Sequence, residues 1–367
     1  MTPAEVVGIL RDPACLEQAA AQHGDAAVIA ELRREGVAPY VAWLRPDWTP
    51  LADDRRRAAL QAATQHHELQ RVCAALVAGG VTPLVLKGAA WAVTHYPEPW
   101  CRPHLDLDLL VDPSSRGQAF VTLERLGYTR AGRIPGQLVN AQEVFERRLG
   151  PGSLVVVDLH WQVSNRIRLA QFLPTRALLS RGQPAPAIGP GVLQAAPQDA
   201  LLLACLHPFA HHAQTAALKW VVDVLRLSQA LGGPQTAEML AQAKAGGVDL
   251  LVLRALADAA ELTANPSHVP ALAIAMARPA SAQDDPWFNW QRSELNDVID
   301  DFRALSSWRA RVRLLKEHLL PPPWFMAHQY GASARGWRLP LAYMHRLSTG
   351  GRRWIAQWWK TASRSAE

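Results

Sequence analysis

Apolar and polar residues alternate along Leu105-Asp106-Leu107-Asp108-Leu109-Leu110-Val111, the period of two that predicts a strand. Further strands are predicted at 83–86, where an apolar run breaks at Lys87-Gly88, and at 143–148 and 154–161, an antiparallel pair about Pro151-Gly152. Elsewhere the period is helical. Residues 1–50 read as helical pieces cut by Pro13, Gly24, Gly36 and Pro39. Asp53-Asp54 sets acids at the positive end of a long helix that Gly79-Gly80 closes, and Asp112-Pro113-Ser114 opens another that Gly127 ends. Beyond a Pro-rich joint at 183–190, Leu and Ala recur at helical spacing over 198–212, 216–231, 237–245 and 250–262. A breaker-rich stretch at 278–286 precedes helices around 289–320, which Pro321-Pro322-Pro323 stops. The expectation is an α+β protein in four parts: an N-terminal helical segment (1–52), a core with a small mixed sheet and flanking helices (53–182), a helical domain (183–320) and a C-terminal tail (321–367).

Two of these strands carry acids. Asp106 and Asp108 leave the same face of an extended strand, roughly 6.6 Å apart along it. They repel unless a cation sits between them, and hard oxygen ligands of this kind suit Mg²⁺ and phosphoryl chemistry. The plainer reading is an edge strand with an acidic outer face. In Val155-Val156-Val157-Asp158-Leu159-His160-Trp161 alternation puts Asp158 and His160 on one face, so a third carboxylate joins the pair if the strands are neighbours. Lys87-Gly88 follows a strand and starts a helix, a place where unpaired N–H groups favour phosphate and Lys87 adds a point charge. The proline-stiffened loop Tyr96-Pro97-Glu98-Pro99-Trp100-Cys101-Arg102-Pro103-His104 runs directly into the acidic strand.

Taken in order, Leu86-Lys87-Gly88, Arg102-Pro103, Asp106-Leu107-Asp108-Leu109-Leu110-Val111 and Val157-Asp158-Leu159-His160-Trp161 resemble the uncharacterised nucleotidyltransferase family of the polymerase-β-like superfamily. The resemblance covers roughly residues 60–230 and makes 53–182 a nucleotidyltransferase-like core. It implies transfer of a nucleotidyl group from an NTP, with ATP one such donor, to a hydroxyl or phosphate acceptor in natural-product or polysaccharide tailoring. Asp106 and Asp108 are implied as Mg²⁺ ligands, and Asp158 as a third ligand or as base for the acceptor. Gly88 is implied to let the backbone approach the triphosphate, and Lys87 and Arg102 to neutralise the leaving pyrophosphate. His160, His207 and Lys219 are implied on the nucleotide side of the site.

Composition narrows the partners. Hydrophobic content of 49% and charged content of 19% are those of a globular chain. A net charge of +6 and a pI near 9.4 favour anionic partners such as NTPs. Cys15, Cys73, Cys101 and Cys205 have no C-x-x-C spacing, so neither a zinc site nor a disulfide framework is expected. No signal peptide and no apolar run of membrane-spanning length is evident, so the expected compartment is the cytoplasm.

Three features have bland alternatives. His207 and His211 share a helix face at the spacing of paired metal ligands, but no Glu stands between them, and satisfied or substrate-facing histidines are the favoured reading. Lys219 and Asp223 are four apart, which predicts a helical ion pair, unless Lys219 reaches the nucleotide. Trp337, Trp354, Trp358 and Trp359 lie among Arg and Lys, a pattern for packing on the core or a partner, or for peripheral membrane contact. Aromatics among bases also suit single-stranded nucleic acid, but no RNA-binding motif accompanies them, so nucleic acid is not expected. Two rivals to the enzyme remain: a nucleotide-binding or scaffold protein without turnover, and a membrane-associated partner protein.

Overall fold

The structure, a computed structural model, describes residues 1–131, 138–150, 152–211, 217–278, 294–331 and 336–349, the side chains of residues 211, 294–296 and 328 excepted. Among the described residues seven strands form one sheet: β1 (Leu84–Val85), β2 (Asp106–Leu110), β3 (Thr129–Arg130), β4 (Gln142–Gly150), β5 (Ser153–His160), β6 (Gln183–Pro184) and β7 (Leu193–Gln194). Their order is β3-β4-β5-β2-β1-β7-β6. β2 pairs parallel with β5 and β1 parallel with β7, while the remaining neighbours are antiparallel, so the sheet is mixed as expected.

Register decides which side chains share a face. Asp106, Asp108 and Leu110 lie opposite Val156, Asp158 and His160, and Gln142 lies opposite His160. Leu107, Leu109, Val157, Leu159 and Phe145 occupy the other face and are fully buried. That apolar face is covered by helices Ala52–Ala78 and Arg116–Arg125. Glu68 of the first accepts from Arg147 of β4 at 3.1 and 3.2 Å, and Phe120 of the second packs on Phe145 with ring centroids 5.4 Å apart. Helices Pro197–His211 and Leu218–Ser228 stand over the polar face.

One apolar core joins residues from Val6 to Ala275. The N-terminal helices reach the site's scaffold through Glu35, whose buried carboxylate accepts the N–H of Leu218 (2.9 Å) and whose carbonyl accepts that of Lys219 (3.1 Å). Unpaired N–H groups at the start of helix Leu218–Ser228 are thereby satisfied. The Pro-rich joint at 183–190 contributes β6, which with β7 extends the sheet edge beyond β1. Among the described residues, no helix is long and apolar enough to cross a membrane. The four cysteines are free.

Candidate active site

Between the polar sheet face and the helices above it lies an open cleft of about 390 Å³. Asp106, Asp108, Asp158, His160, Lys87, Gly88, Arg102, His207 and Lys219 all line it, together with Trp91, His104, Gln142, Trp220 and Asp223. Residues from β2, β5, a strand–helix turn, a proline loop and two later helices thus meet in one place.

Asp108 is the centre. Its Oδ1 accepts from Lys87 Nζ at 2.9 Å and from His160 Nε2 at 3.0 Å, and the residue is 3% exposed. Burial alone would raise its pKa. The Lys87 ammonium and the His160 hydrogen bond outweigh that and hold the carboxyl well below the usual range. Asp158 stands beside it on β5, and Gln142 Nε2 donates to its Oδ2 at 3.0 Å. Asp106, less buried, has its pKa pushed up to about 6 by burial and then by the charge of Asp108.

Ligand atoms of Asp108, Asp158 and His160 all lie within 4.8 Å of one another, and this is the compact metal-holding group among the described residues. His160 completes this group, with Asp106 further along the same sheet face. Its Nδ1 is buried without a hydrogen-bond partner among the described residues. The donor set fits a divalent cation: three carboxylates from two strands line one cleft, and Lys87 is paired directly with Asp108.

Lys87 is held there by an unusual backbone. Its φ of +31° is the one positive φ outside glycine among the described residues. Strain of this kind costs of order 1–3 kcal/mol and persists where the surroundings impose it. Gly88 follows, and a Cβ at that position would come within 3.1 Å of both Arg102 Nη1 and His104 Cβ. The missing side chain makes room for Arg102 and His104.

Arg102 and Asp223 form a buried pair, Nε–Oδ1 at 3.0 Å and Nη2–Oδ2 at 2.6 Å, and the Tyr96 hydroxyl donates to the same carboxylate at 2.7 Å. The helical ion pair predicted between Lys219 and Asp223 is absent because Arg102 and Tyr96 hold that carboxylate. Lys219 Nζ instead lies 5.4 Å from the Trp220 ring centroid, and its stem packs over Gly36. Burial, reinforced by Arg102, pushes its ammonium pKa down. His104 is likewise pushed down, to about 4, first by burial and then by Arg102, while its Nδ1 donates to the Arg102 carbonyl at 3.3 Å. His207 faces Trp220 edge-on, with ring centroids 6.4 Å apart. The His211 side chain and His212 lie outside the described residues, as do Trp354, Trp358 and Trp359.

Sequence reasoning missed Gln142 and Tyr96. Gln142 has a signal in retrospect, because antiparallel pairing about Pro151-Gly152 puts it opposite His160. Tyr96 has none, since its partner is on a helix far along the chain.

A family model described as an uncharacterised nucleotidyltransferase matches residues 11–264, and the chain belongs to that family, a transferase of nucleotidyl groups. The match reaches from the N-terminal helices to the helices over the cleft. No curated protein matches the chain.

Proposed function

We propose that this protein moves a nucleotidyl group from an NTP to a hydroxyl or phosphate acceptor at the carboxylate cluster, with Mg²⁺ held by Asp106, Asp108 and Asp158. The observation that carries this reading is the in-register pairing of Asp108 with Asp158 on parallel strands, with Asp106 on the same face. Magnesium bound there would offset charge on the triphosphate and favour ionisation of the acceptor oxygen.

The chain's own groups divide the remaining work. The start of helix Lys87–Thr94 opens on the cleft and offers backbone N–H groups to phosphate oxygens. Lys87, released from Asp108, follows the negative charge onto the β- and γ-phosphates. Arg102 and Lys219 add positive charge on the helix side. Trp91 and Trp220 give the cleft aromatic walls for a base. An acceptor oxygen attacks the α-phosphorus in line: the new O–P bond forms, the bond to the bridging oxygen breaks, and pyrophosphate leaves. Asp158, steadied by Gln142, takes the acceptor's proton. His207 orients the acceptor or a phosphate.

The test is pyrophosphate release with Mg²⁺ and each NTP across panels of hydroxyl and phosphate acceptors. Turnover in the wild type, abolished in the folded Asp106→Asn/Asp108→Asn protein, supports the reading. Undiminished turnover in that variant refutes it.

A further inference from the structure

Charge is segregated along this chain. Residues 305–367 carry eleven Lys and Arg against two acids, a net of +9, whereas residues 1–304 carry 27 against 30, a net of −3. The excess base of the whole protein therefore resides in residues 305–367. The acid within their described part, Glu317, is turned inward: Oε2 accepts the N–H groups of Leu138 and Val139 at 2.9 and 3.1 Å, and Oε1 that of Arg313 at 3.0 Å.

Helix Trp308–Leu319 has two opposed apolar faces. Leu314, with Ala310, packs toward Ile167, Phe302 and Leu305. On the other side Trp308, Val312 and Leu315 recur at i, i+4 and i+7, and stand 69, 54 and 37% exposed. Arg309 and Lys316 flank this outer stripe, and the Arg309 guanidinium lies 5.7 Å from the Trp308 ring centroid. The helix at 339–349, with Trp337 just before it, repeats the arrangement. Leu339, Ala342 and Tyr343 pack on Met326 and Tyr330, while Trp337, Leu341 and Met344 stand 77, 55 and 66% exposed beside Arg338. Arg346 ties the two helices by donating to the His318 carbonyl at 3.2 Å.

A folded protein seldom leaves two such stripes in water without a use. We propose that this face of the C-terminal helices docks on an anionic lipid surface. Trp, Leu, Val and Met would enter the boundary between headgroups and acyl chains while Arg and Lys meet lipid phosphates. Charge argues against a second copy of the chain, because two +9 segments repel one another. Single-stranded nucleic acid would use the bases and Trp rings but leave Val312, Leu315, Leu341 and Met344 in water. The inference is independent of the transfer chemistry and places the docking face on Trp308, Val312, Leu315, Trp337, Leu341 and Met344.

The test is co-sedimentation of the full chain with vesicles of phosphatidylcholine, with and without phosphatidylglycerol. The expected result is binding at least about tenfold stronger to the anionic vesicles, weakened by salt. The variant Val312→Asp/Leu315→Asp/Met344→Asp should lose that binding while keeping its melting temperature and nucleotide affinity, since all three side chains are exposed. No binding to anionic vesicles, equal binding to neutral ones, or unchanged binding by the variant would overturn the proposal. So would a dimer that this variant dissociates, or capture of single-stranded nucleic acid, in a protein that ignores vesicles.

Discussion

Asp108 and Asp158 are register partners on the parallel strands β2 and β5. Partner residues on adjacent strands point to the same face, about 4.8 Å apart across the ladder, so the pairing itself brings two carboxylates together. Had β5 paired antiparallel with β2, or slipped by one residue, Asp158 would face a different neighbour or the opposite, apolar side. The site thus rests on one strand pairing.

Replacing either acid should separate catalysis from folding. Asp158→Asn retains a carbonyl oxygen for Gln142, and we expect transfer to fall by at least about 100-fold with a melting temperature near wild type. Asp108→Asn should abolish transfer and also lower stability, because it leaves the half-buried Lys87 ammonium without its counter-charge. Initial rates and thermal melts on the same preparations check both.

On the proposed reading, Lys87 and the metal ion compete for Asp108. Lys87→Met should therefore bind divalent cation more tightly than wild type when no nucleotide is present. The same variant should show a raised KM for NTP, since the charge meant for the phosphates is gone. Calorimetric titration of Mn²⁺ into both proteins tests the first outcome; a fall in cation affinity would assign Lys87 a purely structural role.

The acids also fix a pH dependence. Burial and then Asp108 raise Asp106 to about 6, so between the ordinary carboxylate range and that value the folded state holds a proton the unfolded chain has lost. This contribution lowers stability as pH rises. Asp108 acts in the opposite sense: held well below the usual range, it contributes stability above that range which disappears as pH falls into acid. With Asp106 as a ligand, as proposed, cation binding requires its ionised form and should strengthen as pH rises through about 6. The rise in melting temperature caused by Mg²⁺ should accordingly be larger at about pH 7.5 than at about pH 5, and Asp106→Asn should flatten the difference.

Asp223 anchors the helix side of the cleft. Asp223→Ala strands Arg102 in a buried position and should cost roughly 3–5 kcal/mol of unfolding free energy. Arg102→Met with Asp223→Leu should restore much of that stability while leaving transfer impaired, because Arg102 lines the cleft. Denaturant melts beside turnover rates distinguish the structural from the functional share.

Much of this arrangement is legible in the sequence because its signals are local. The alternation at 105–111, the Lys87-Gly88 break and the turn at Pro151-Gly152 each specify an element within a few residues. β3, β6 and β7 escape notice, since two-residue strands have no periodicity to read and β6 includes a proline. The exchange of partners at Asp223 is equally hidden. Spacing by four suggests Lys219, yet Arg102 and Tyr96 approach from a loop whose position only tertiary packing sets. Likewise nothing in the sequence says that Lys87 rests on Asp108 through a left-handed backbone.

The measurement that tests the central claim most directly is calorimetric binding of Mg²⁺ with a non-hydrolysable NTP to the wild type and to the folded Asp106→Asn/Asp108→Asn variant. The account predicts that cation and nucleotide bind the wild type cooperatively and that the variant loses this coupling. Equal, coupled binding by the variant would show that the carboxylates of β2 do not hold the metal.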